Sequence, residues 1–169
     1  MKRIISLLAL FCVLNAKAQK VEIAVGEGWA EIPVQQTQSE LKPGWKIVDY
    51  QMKSRLTHYL SGGHATQLAE GIRPVFRVTP GDKEVLVDYV LIRLKSYKYY
   101  RKLPKTKLMD NAYMRLEPNG FDIKAESDAF VCQPRQPLMP DEYILTCLTQ
   151  QPVGELSDLL VYPFCVLKE

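Results

Sequence analysis

The 169-residue chain carries 22 basic and 19 acidic side chains, and three of the basic residues, but no acidic one, fall in the first nineteen positions. The rest of the chain is therefore neutral overall, which excludes the global positive field that drives sequence-independent nucleic-acid binding. Its length suits one ordinary domain, and no later segment has the roughly 20 apolar residues that a transmembrane helix needs.

Residues 1–19 have the three-part pattern of a cleavable secretory signal peptide. A basic start precedes the apolar run Ile4–Leu14, and Ala16 and Ala18 have the spacing of an export cleavage site. We expect cleavage after Ala18 or Gln19, with the mature protein exported to the periplasm, the cell surface or the medium. An uncleaved membrane anchor is the alternative, since signal and anchor differ mainly in apolar length.

Short runs rich in Val, Ile, Tyr and Phe, punctuated by Pro and Gly, predict one β-rich domain over residues 20–169. Residues 20–60 could form a separate N-terminal β subregion within it. The predicted strands are Val21–Val25, Gly28–Val34, Trp45–Met52, Arg55–Leu60, Arg73–Thr79, Glu84–Lys95, Tyr97–Leu103, Phe121–Ala125, Ala129–Gln133, Tyr143–Thr149 and Leu159–Leu167. This all-β pattern favours an antiparallel β-sandwich, of which the immunoglobulin-like fold is one form.

Four segments carry more specific expectations. The polar stretch Gln35–Lys42 is predicted to be a loop, and Ala65–Glu70 could form one helical turn. Glu84–Lys95 is the strongest strand candidate, but its alternation slips at the centre, which predicts a bulge or burial on both faces. Pro163 in the last strand predicts an edge position or a break.

Three cysteines remain after cleavage, Cys132, Cys147 and Cys165. If the strands Ala129–Gln133 and Tyr143–Thr149 formed a hairpin, Cys132 would face Cys147 at a distance that a disulfide accepts. The alternative is that all three are small buried apolar residues.

Three stretches also resemble a known group of proteins: GIRPVF at Gly71–Phe76, DYVLIRL at Asp88–Leu94 and PLMPDEYIL at Pro137–Leu145. Together they are similar to small secreted proteins of unknown function from Bacteroidetes-type bacteria, over about residues 60–150. That group would have Gly where this chain has Asp141. The resemblance implies an exported chain that ends in a β-sandwich-like domain, and it brings no catalytic residues.

Residues with catalytic or metal-binding chemistry are few. His58 and His64 are the two histidines, and without a nearby second pair of ligands they do not predict a zinc site or any other cofactor. The segment from Ser61 to His64 lacks the G-x-S-x-G elbow of a nucleophilic serine and is better explained as a Gly-rich turn. Cys165 could act as a nucleophile with either histidine, although burial in a terminal strand explains it more simply.

Asp122, Glu126 and Asp128 alternate on or just after a predicted strand. Paired carboxylates are the machinery of glycoside hydrolysis, so these residues are candidates for a secreted glycan-active hydrolase. A solvated strand face explains the same spacing.

The most distinctive segment is Arg93–Lys107, with seven basic residues, three tyrosines and no acid, whereas residues 108–169 hold ten acids and four bases. Tyrosine rings can stack on sugars while ammonium groups attract anions. Alternatively, the lysines protect a sheet edge, or the segment pairs with the acidic last third of the chain. The candidate ligand-binding residues are Lys95, Tyr97, Lys98, Tyr99, Tyr100, Arg101 and Lys102.

The sequence therefore predicts an exported, non-catalytic protein that binds or scaffolds a partner at the cell envelope, either an anionic glycan or another envelope protein. The first alternative is the hydrolase. The second is a subunit of an envelope assembly that accepts a strand at an open sheet edge.

Overall fold

The computed structural model describes residues 19–42, 46–47, 50–51, 55–81, 85–103, 113–148 and 159–167. The predicted signal peptide lies outside these residues except for Gln19, and so does the end of the basic segment, residues 104–107. The strands are β1 (Lys20–Val25), β2 (Gly28–Glu31), β3 (Gln35–Gln36), β4 (Gln38–Lys42), β5 (Lys46–Ile47), β6 (Tyr50–Gln51), β7 (Arg55–Ser61), β8 (Leu68–Ala69), β9 (Phe76–Thr79), β10 (Tyr89–Arg93), β11 (Lys95–Ser96), β12 (Tyr100–Lys102), β13 (Tyr113–Arg115), β14 (Phe121–Ala125), β15 (Phe130–Pro134), β16 (Asp141–Cys147) and β17 (Leu160–Val166).

These strands form three larger sheets and one small antiparallel pair. The five-stranded sheet has the order β14-β15-β9-β1-β2, and the four-stranded sheet the order β11-β12-β7-β4. The six-stranded sheet has the order β13-β10-β16-β17-β3, with β8 also paired to β17, and β5 pairs with β6. All pairings are antiparallel except the parallel pairing of β8 with β17. The prediction of an all-β, antiparallel sandwich is therefore confirmed.

The six-stranded sheet is the middle layer, because alternate residues of its strands enter two different apolar clusters. In β16, Tyr143 and Leu145 pack in a cluster with Phe76 of the five-stranded sheet. Ile144, between them, packs in a second cluster with Leu60 of the four-stranded sheet. Such alternation follows from the two-residue period of a strand, and each fully buried side chain of this size contributes roughly 1.5–3 kcal/mol.

In the described part of the chain, the middle layer is covered by sheets on both sides and by no long helix. None of the described segments forms a helix with the length and apolar character of a membrane span. Strands that begin within residues 20–60 contribute to all three larger sheets: β1 and β2 to the five-stranded, β3 to the six-stranded, and β4 and β7 to the four-stranded sheet.

The predicted strand Glu84–Lys95 is only partly correct. Residues Leu86–Asp88 form a 3₁₀ turn, which the Asp88 N–H closes by donating to the Val85 carbonyl at 3.0 Å. Regular pairing begins at Tyr89, and from Tyr89 to Ile92 every residue is buried. The expected burial on both faces is thus confirmed for the second half of the segment. The point where the apolar–polar alternation of the sequence slips is the end of the 3₁₀ turn.

Two other local predictions are wrong. Residues Gln35–Lys42 are not a loop but supply β3 and β4, which lie at the edges of their sheets, where polar side chains are tolerated because one side faces solvent. Ala65–Glu70 forms no helical turn, because Leu68–Ala69 pairs with β17. The predicted strand Trp45–Met52 contains the β5–β6 pair, with some of its residues outside the described part.

Pro163 lies inside the regular strand β17, so the predicted break does not occur. On one side, Pro163 is opposite Ile144 of β16. On the other side, β3 pairs with residues 160–161 and β8 with residues 165–166, and no described strand pairs with Pro163 between them. The Cys165 N–H points to that outer side, since it donates to Gln67 O at 2.9 Å. Backbone nitrogens two residues apart in a strand point to the same side, so the ring nitrogen of Pro163 also points outward. Proline therefore occupies the position where a missing donor costs nothing.

The predicted hairpin that would join Cys132 to Cys147 is wrong. β15 pairs with β14 and β9 in the five-stranded sheet, whereas β16 pairs with β10 and β17 in the six-stranded sheet. The segment between them crosses from one layer to the other and is fixed by the Leu138 N–H, which donates to Ile72 O at 2.7 Å. Cys132, Cys147 and Cys165 are buried thiols without a disulfide. Burial raises the pKa of the Cys132 thiol to about 12.

Candidate functional site: the tyrosine face

The candidate residues 95–102 form the hairpin of β11 and β12 at one side of the four-stranded sheet. Lys95 lies opposite Lys102 and Ser96 opposite Arg101, and the Tyr97 N–H donates to Tyr100 O at 2.9 Å next to the turn. Since neighbouring residues of a strand point to opposite faces, Tyr100 and Lys102 share the outer face of the sheet. Arg101 points inward between them.

Three tyrosine rings form a row across this outer face, with Tyr100 in contact with the other two. Tyr97 stacks on Tyr100 with ring centroids 4.7 Å apart, and Tyr100 meets Tyr59 of β7 edge to face at 5.5 Å. The Lys102 ammonium lies 5.5 Å from the centre of the Tyr59 ring. We call the group Tyr59, Lys95, Tyr97, Tyr100 and Lys102 the tyrosine face. Tyr97 is 45% and Tyr100 38% exposed, whereas Tyr59 is half-buried.

Tyr59 was not among the candidates from the sequence, because its neighbours Tyr100 and Lys102 come from β12, which is far from β7 in the chain. Its hydroxyl donates to Glu40 Oε2 at 3.0 Å. Partial burial, followed by the neighbouring Glu40 carboxylate, raises the pKa of the Tyr59 hydroxyl. The ring is therefore held as a neutral phenol at one end of the face.

The hairpin turn adds two further exposed groups. Tyr99 is 71% exposed, and the Lys98 ammonium lies 4.9 Å from the centre of its ring. Within the described ranges, no carboxylate lies at ion-pair distance from Lys95, Lys98 or Lys102. The lysines of this region are thus positive charges without a partner of opposite sign in the described structure.

Arg101 does not lie on the exposed surface with the other candidates. It is 1% exposed, and its Nη1 lies 3.3 Å from Glu142 Oε2 in the middle layer. Arg93 similarly pairs with Asp141, at 3.4 Å between Nε and Oδ2. The two arginines of the basic segment therefore do pair with the acidic last third of the chain, whereas its three described lysines do not.

The Gly-rich loop 61–64 packs its backbone directly against the hairpin turn. The Gly62 N–H donates to Tyr99 O at 3.0 Å, and Gly62 has a φ of +80°, which favours glycine. A Cβ at Gly63 would lie 2.7 Å from the Lys98 carbonyl oxygen. These two glycines are thus explained by backbone contact, as expected for a turn.

The histidines lie in different environments. His58 Nδ1 is 3.4 Å from Thr37 Oγ1, whereas His64 Nδ1 is 3.1 Å from Glu142 Oε1. The described part of the chain holds no group of three His, Cys, Asp or Glu side chains arranged to bind a metal ion. Burial, together with the nearby Glu142 carboxylate, raises the pKa of the Cys165 thiol to about 11, which keeps it protonated at neutral pH.

The three candidate carboxylates lie on the five-stranded sheet, in the other outer layer. Asp122 contacts two guanidinium groups, that of Arg135 at 3.0 Å and that of Arg73 at 3.5 Å. Glu126 and Asp128 are exposed beyond the end of β14. The geometry of Asp122 is thus that of a surface ion pair.

The tyrosine face presents aromatic rings next to ammonium groups, a combination that can contact the apolar face of a sugar and attract an anionic substituent. Its residues come from β7, from β11 and β12, and from the turn between β11 and β12. Ring contacts join all of them except Lys95. No family model matches the chain, and no significant match was found among curated proteins or solved structures.

Proposed function

We propose that the protein is an exported, non-catalytic binding protein of the cell envelope that holds an anionic glycan on the tyrosine face. The observation that carries the proposal is the row of Tyr97, Tyr100 and Tyr59, flanked by lysines with no described carboxylate partner. Rings of this kind stack on sugars, and the lysines supply the complementary charge for sulfate, phosphate or carboxylate substituents.

The pairing of Lys95 with Lys102 supports a ligand. Like charges directly opposite each other in an antiparallel pair destabilise a sheet, and here both lysines lie on the same face. An anionic ligand relieves this repulsion. The arrangement is therefore costly for the unbound protein and favourable for the complex.

Protection of a sheet edge explains only part of the pattern. Lysines on an edge strand prevent edge-to-edge association, and Lys95 lies on the edge strand β11. Tyr100 and Lys102 lie on β12, which is paired on both sides, by β11 and β7. An inner strand needs no such protection, so these two residues favour a contact surface.

The test is the affinity of the mature chain, residues 20–169, for heparin, alginate and neutral dextran, measured by isothermal titration calorimetry. We expect binding to one or both anionic polymers, weakened by salt, and none to dextran. Lys102→Glu should lower the affinity by roughly tenfold or more, equivalent to about 1.4 kcal/mol.

The matched control is Lys124→Glu, which reverses one exposed charge on the five-stranded sheet. It should bind as the wild type does. Equal losses in both variants, or no binding of either anionic polymer by the wild type, would show that the tyrosine face is not a glycan site. Export is tested separately, since the amino-terminal residue of the native protein should be Gln19 or Lys20.

A further inference from the structure

Arg101 lies in β12 between two residues of the tyrosine face, but its side chain crosses into the next layer. Besides its contact with Glu142, it donates from Nε to Gly62 O and from Nη2 to Ser61 O, both at 3.2 Å. Nη2 also lies 3.5 Å from Gln35 Oε1. One buried guanidinium thus joins the β11–β12 hairpin, the Gly-rich loop and the six-stranded sheet.

Glu142 receives this guanidinium in the middle layer, where its own side chain is buried. It belongs to β16, which is paired on both sides by β10 and β17. Its Oε2 also accepts the Ala65 N–H at 2.9 Å, and its Oε1 lies 3.1 Å from His64 Nδ1. Both ends of loop 61–65 are therefore tied to one carboxylate, directly at Ala65 and through Arg101 at Ser61.

Loop 61–65 in turn holds the hairpin turn. The Gly62 N–H donates to Tyr99 O at 3.0 Å, and a Cβ at Gly63 would lie 2.7 Å from Lys98 O, so the backbones of the loop and the turn are in close contact. A chain of contacts thus leads from β16 through Glu142, Arg101 and the loop to the residues between Tyr97 and Tyr100.

We infer that Arg101, Glu142 and loop 61–65 form a positioning cluster. The cluster holds the β11–β12 hairpin, which we call the tyrosine hairpin, in its ligand-binding conformation. This inference rests on the proposed glycan-binding function. Arg101 acts without touching the ligand. A buried ion pair is rarely more stabilising than apolar residues of similar volume. The cluster therefore contributes the orientation of the hairpin more than the stability of the fold.

The decisive variant is Arg101→Met combined with Glu142→Met, which removes both buried charges together. Removing Arg101 alone would take from the buried Glu142 carboxylate its guanidinium partner and endanger folding, whereas the double variant leaves neither charge buried. We expect it to fold and to bind the anionic polymer that the wild type binds at least tenfold more weakly. The slope of log affinity against log salt should stay unchanged, because no ligand-contacting cation is lost.

Lys102→Gln is the matched contact variant and should reduce that slope by about one. A similar reduction in the double variant would show that Arg101 touches the ligand. Unchanged affinity in the double variant would show that the cluster has no positioning role. Either result overturns the inference.

A measurement without ligand separates this inference from the proposed function. Amide hydrogen exchange at Tyr97 and Gly62, whose N–H groups bind Tyr100 O and Tyr99 O, should accelerate at least tenfold in the double variant. The N–H of Ala24 in β1, which donates to Val75 O just before β9, should exchange as in the wild type. If the wild type binds no glycan, the proposed function is wrong, but the exchange rates still test the positioning role. If the double variant changes the exchange rates of all three amides equally, or changes none of them, the positioning role is overturned.

Discussion

The two outer layers of the sandwich use charge in opposite ways. On the five-stranded sheet, Arg77 Nε lies 2.6 Å from Glu22 Oε2, and Lys20 bridges Glu22 and Glu31 at 2.9 and 3.6 Å. The Arg77 guanidinium also lies 4.7 Å from the centre of the Trp29 ring. We call these five residues the paired face. On the tyrosine face, Lys102 has an aromatic neighbour, and neither Lys95 nor Lys102 has a described carboxylate at ion-pair distance.

The comparison separates stability from recognition. Both faces are built by the same alternation of strand residues above an apolar layer, so the backbone does not cause the difference. On the paired face each cation meets an anion within the protein, which leaves little charge for a ligand. On the tyrosine face the cations remain available, and substitutions there should affect binding more than folding.

The largest expected effect sharpens this contrast on the binding side. Tyr100→Ala removes the ring in contact with both Tyr97 and Tyr59. A stacked aromatic ring is worth about 1–3 kcal/mol in ligand binding, so affinity for the anionic polymer should fall by at least fivefold in calorimetry. Trp29→Ala on the paired face is the control and should leave affinity unchanged. Equal losses would remove the distinction between the faces.

The next effect concerns stability and runs the other way. Arg77→Met should destabilise the fold by about 1–2 kcal/mol in urea unfolding, more than most surface ion pairs contribute, because it removes a charged hydrogen bond to the nearly buried Glu22. Lys102→Met should change stability by no more than about 0.5 kcal/mol. A larger cost for Lys102→Met would mean that the tyrosine face serves structure.

A pair of glycine variants tests the turns at the two faces. Gly63→Ala places a Cβ 2.7 Å from Lys98 O and should cost about 1 kcal/mol as the hairpin shifts, with weaker glycan binding. Gly28→Ala, in the β1–β2 hairpin, places its Cβ 3.8 Å from Val25 O, which is ordinary contact, and should change neither property. Thermal melting and calorimetry on both variants measure these effects. If Gly63→Ala changed neither stability nor binding, the result would contradict the tight packing of the loop.

The smallest effect is a pH dependence specific to the paired face. The hydrogen bond from Arg77, followed by that from Lys20, lowers the pKa of the Glu22 carboxyl below its ordinary value. Because the folded-state pKa lies below the unfolded one, this stabilisation is fully present at neutral pH and is lost as the pH falls through the folded value. The stability difference between wild type and Glu22→Gln should therefore shrink below about pH 4.

The corresponding control is Lys98→Gln, in the hairpin turn next to the tyrosine face. Its stability difference from the wild type should stay constant over the same pH range. A constant difference for Glu22→Gln as well would show that Glu22 is not stabilised by its neighbours.

Strand positions were predictable where local composition decides them. Phe121–Ala125 was predicted with the bounds that β14 has, and Leu159–Leu167 contains β17 with one residue added at each end. The polar strands β3 and β4 could not be predicted, because their partners β17 and β7 make them strands. The Cys132–Cys147 pairing failed for the same reason, since neighbouring strands in the chain belong to different layers.

The candidate site was predictable in its position but not in its orientation. The run of lysine and tyrosine marked residues 95–102, and alternation alone would have separated Arg101 from Tyr100 and Lys102 once the strand was known. The partners of these residues, Tyr59 and Glu142, depend on the sheet order and the layer contacts. Such long-range pairing leaves no local signal in a single sequence.

The double-sided burial of the six-stranded sheet also limits how the protein can be divided. Val90 and Ile144 point toward one neighbouring layer and Leu91 and Leu145 toward the other. Deleting either outer sheet would therefore expose apolar side chains that are buried in the intact fold. A smaller fragment that keeps the tyrosine face therefore cannot be cut from this chain without exposing one of these apolar surfaces. Any reagent made from the tyrosine hairpin would have to carry all three layers with it.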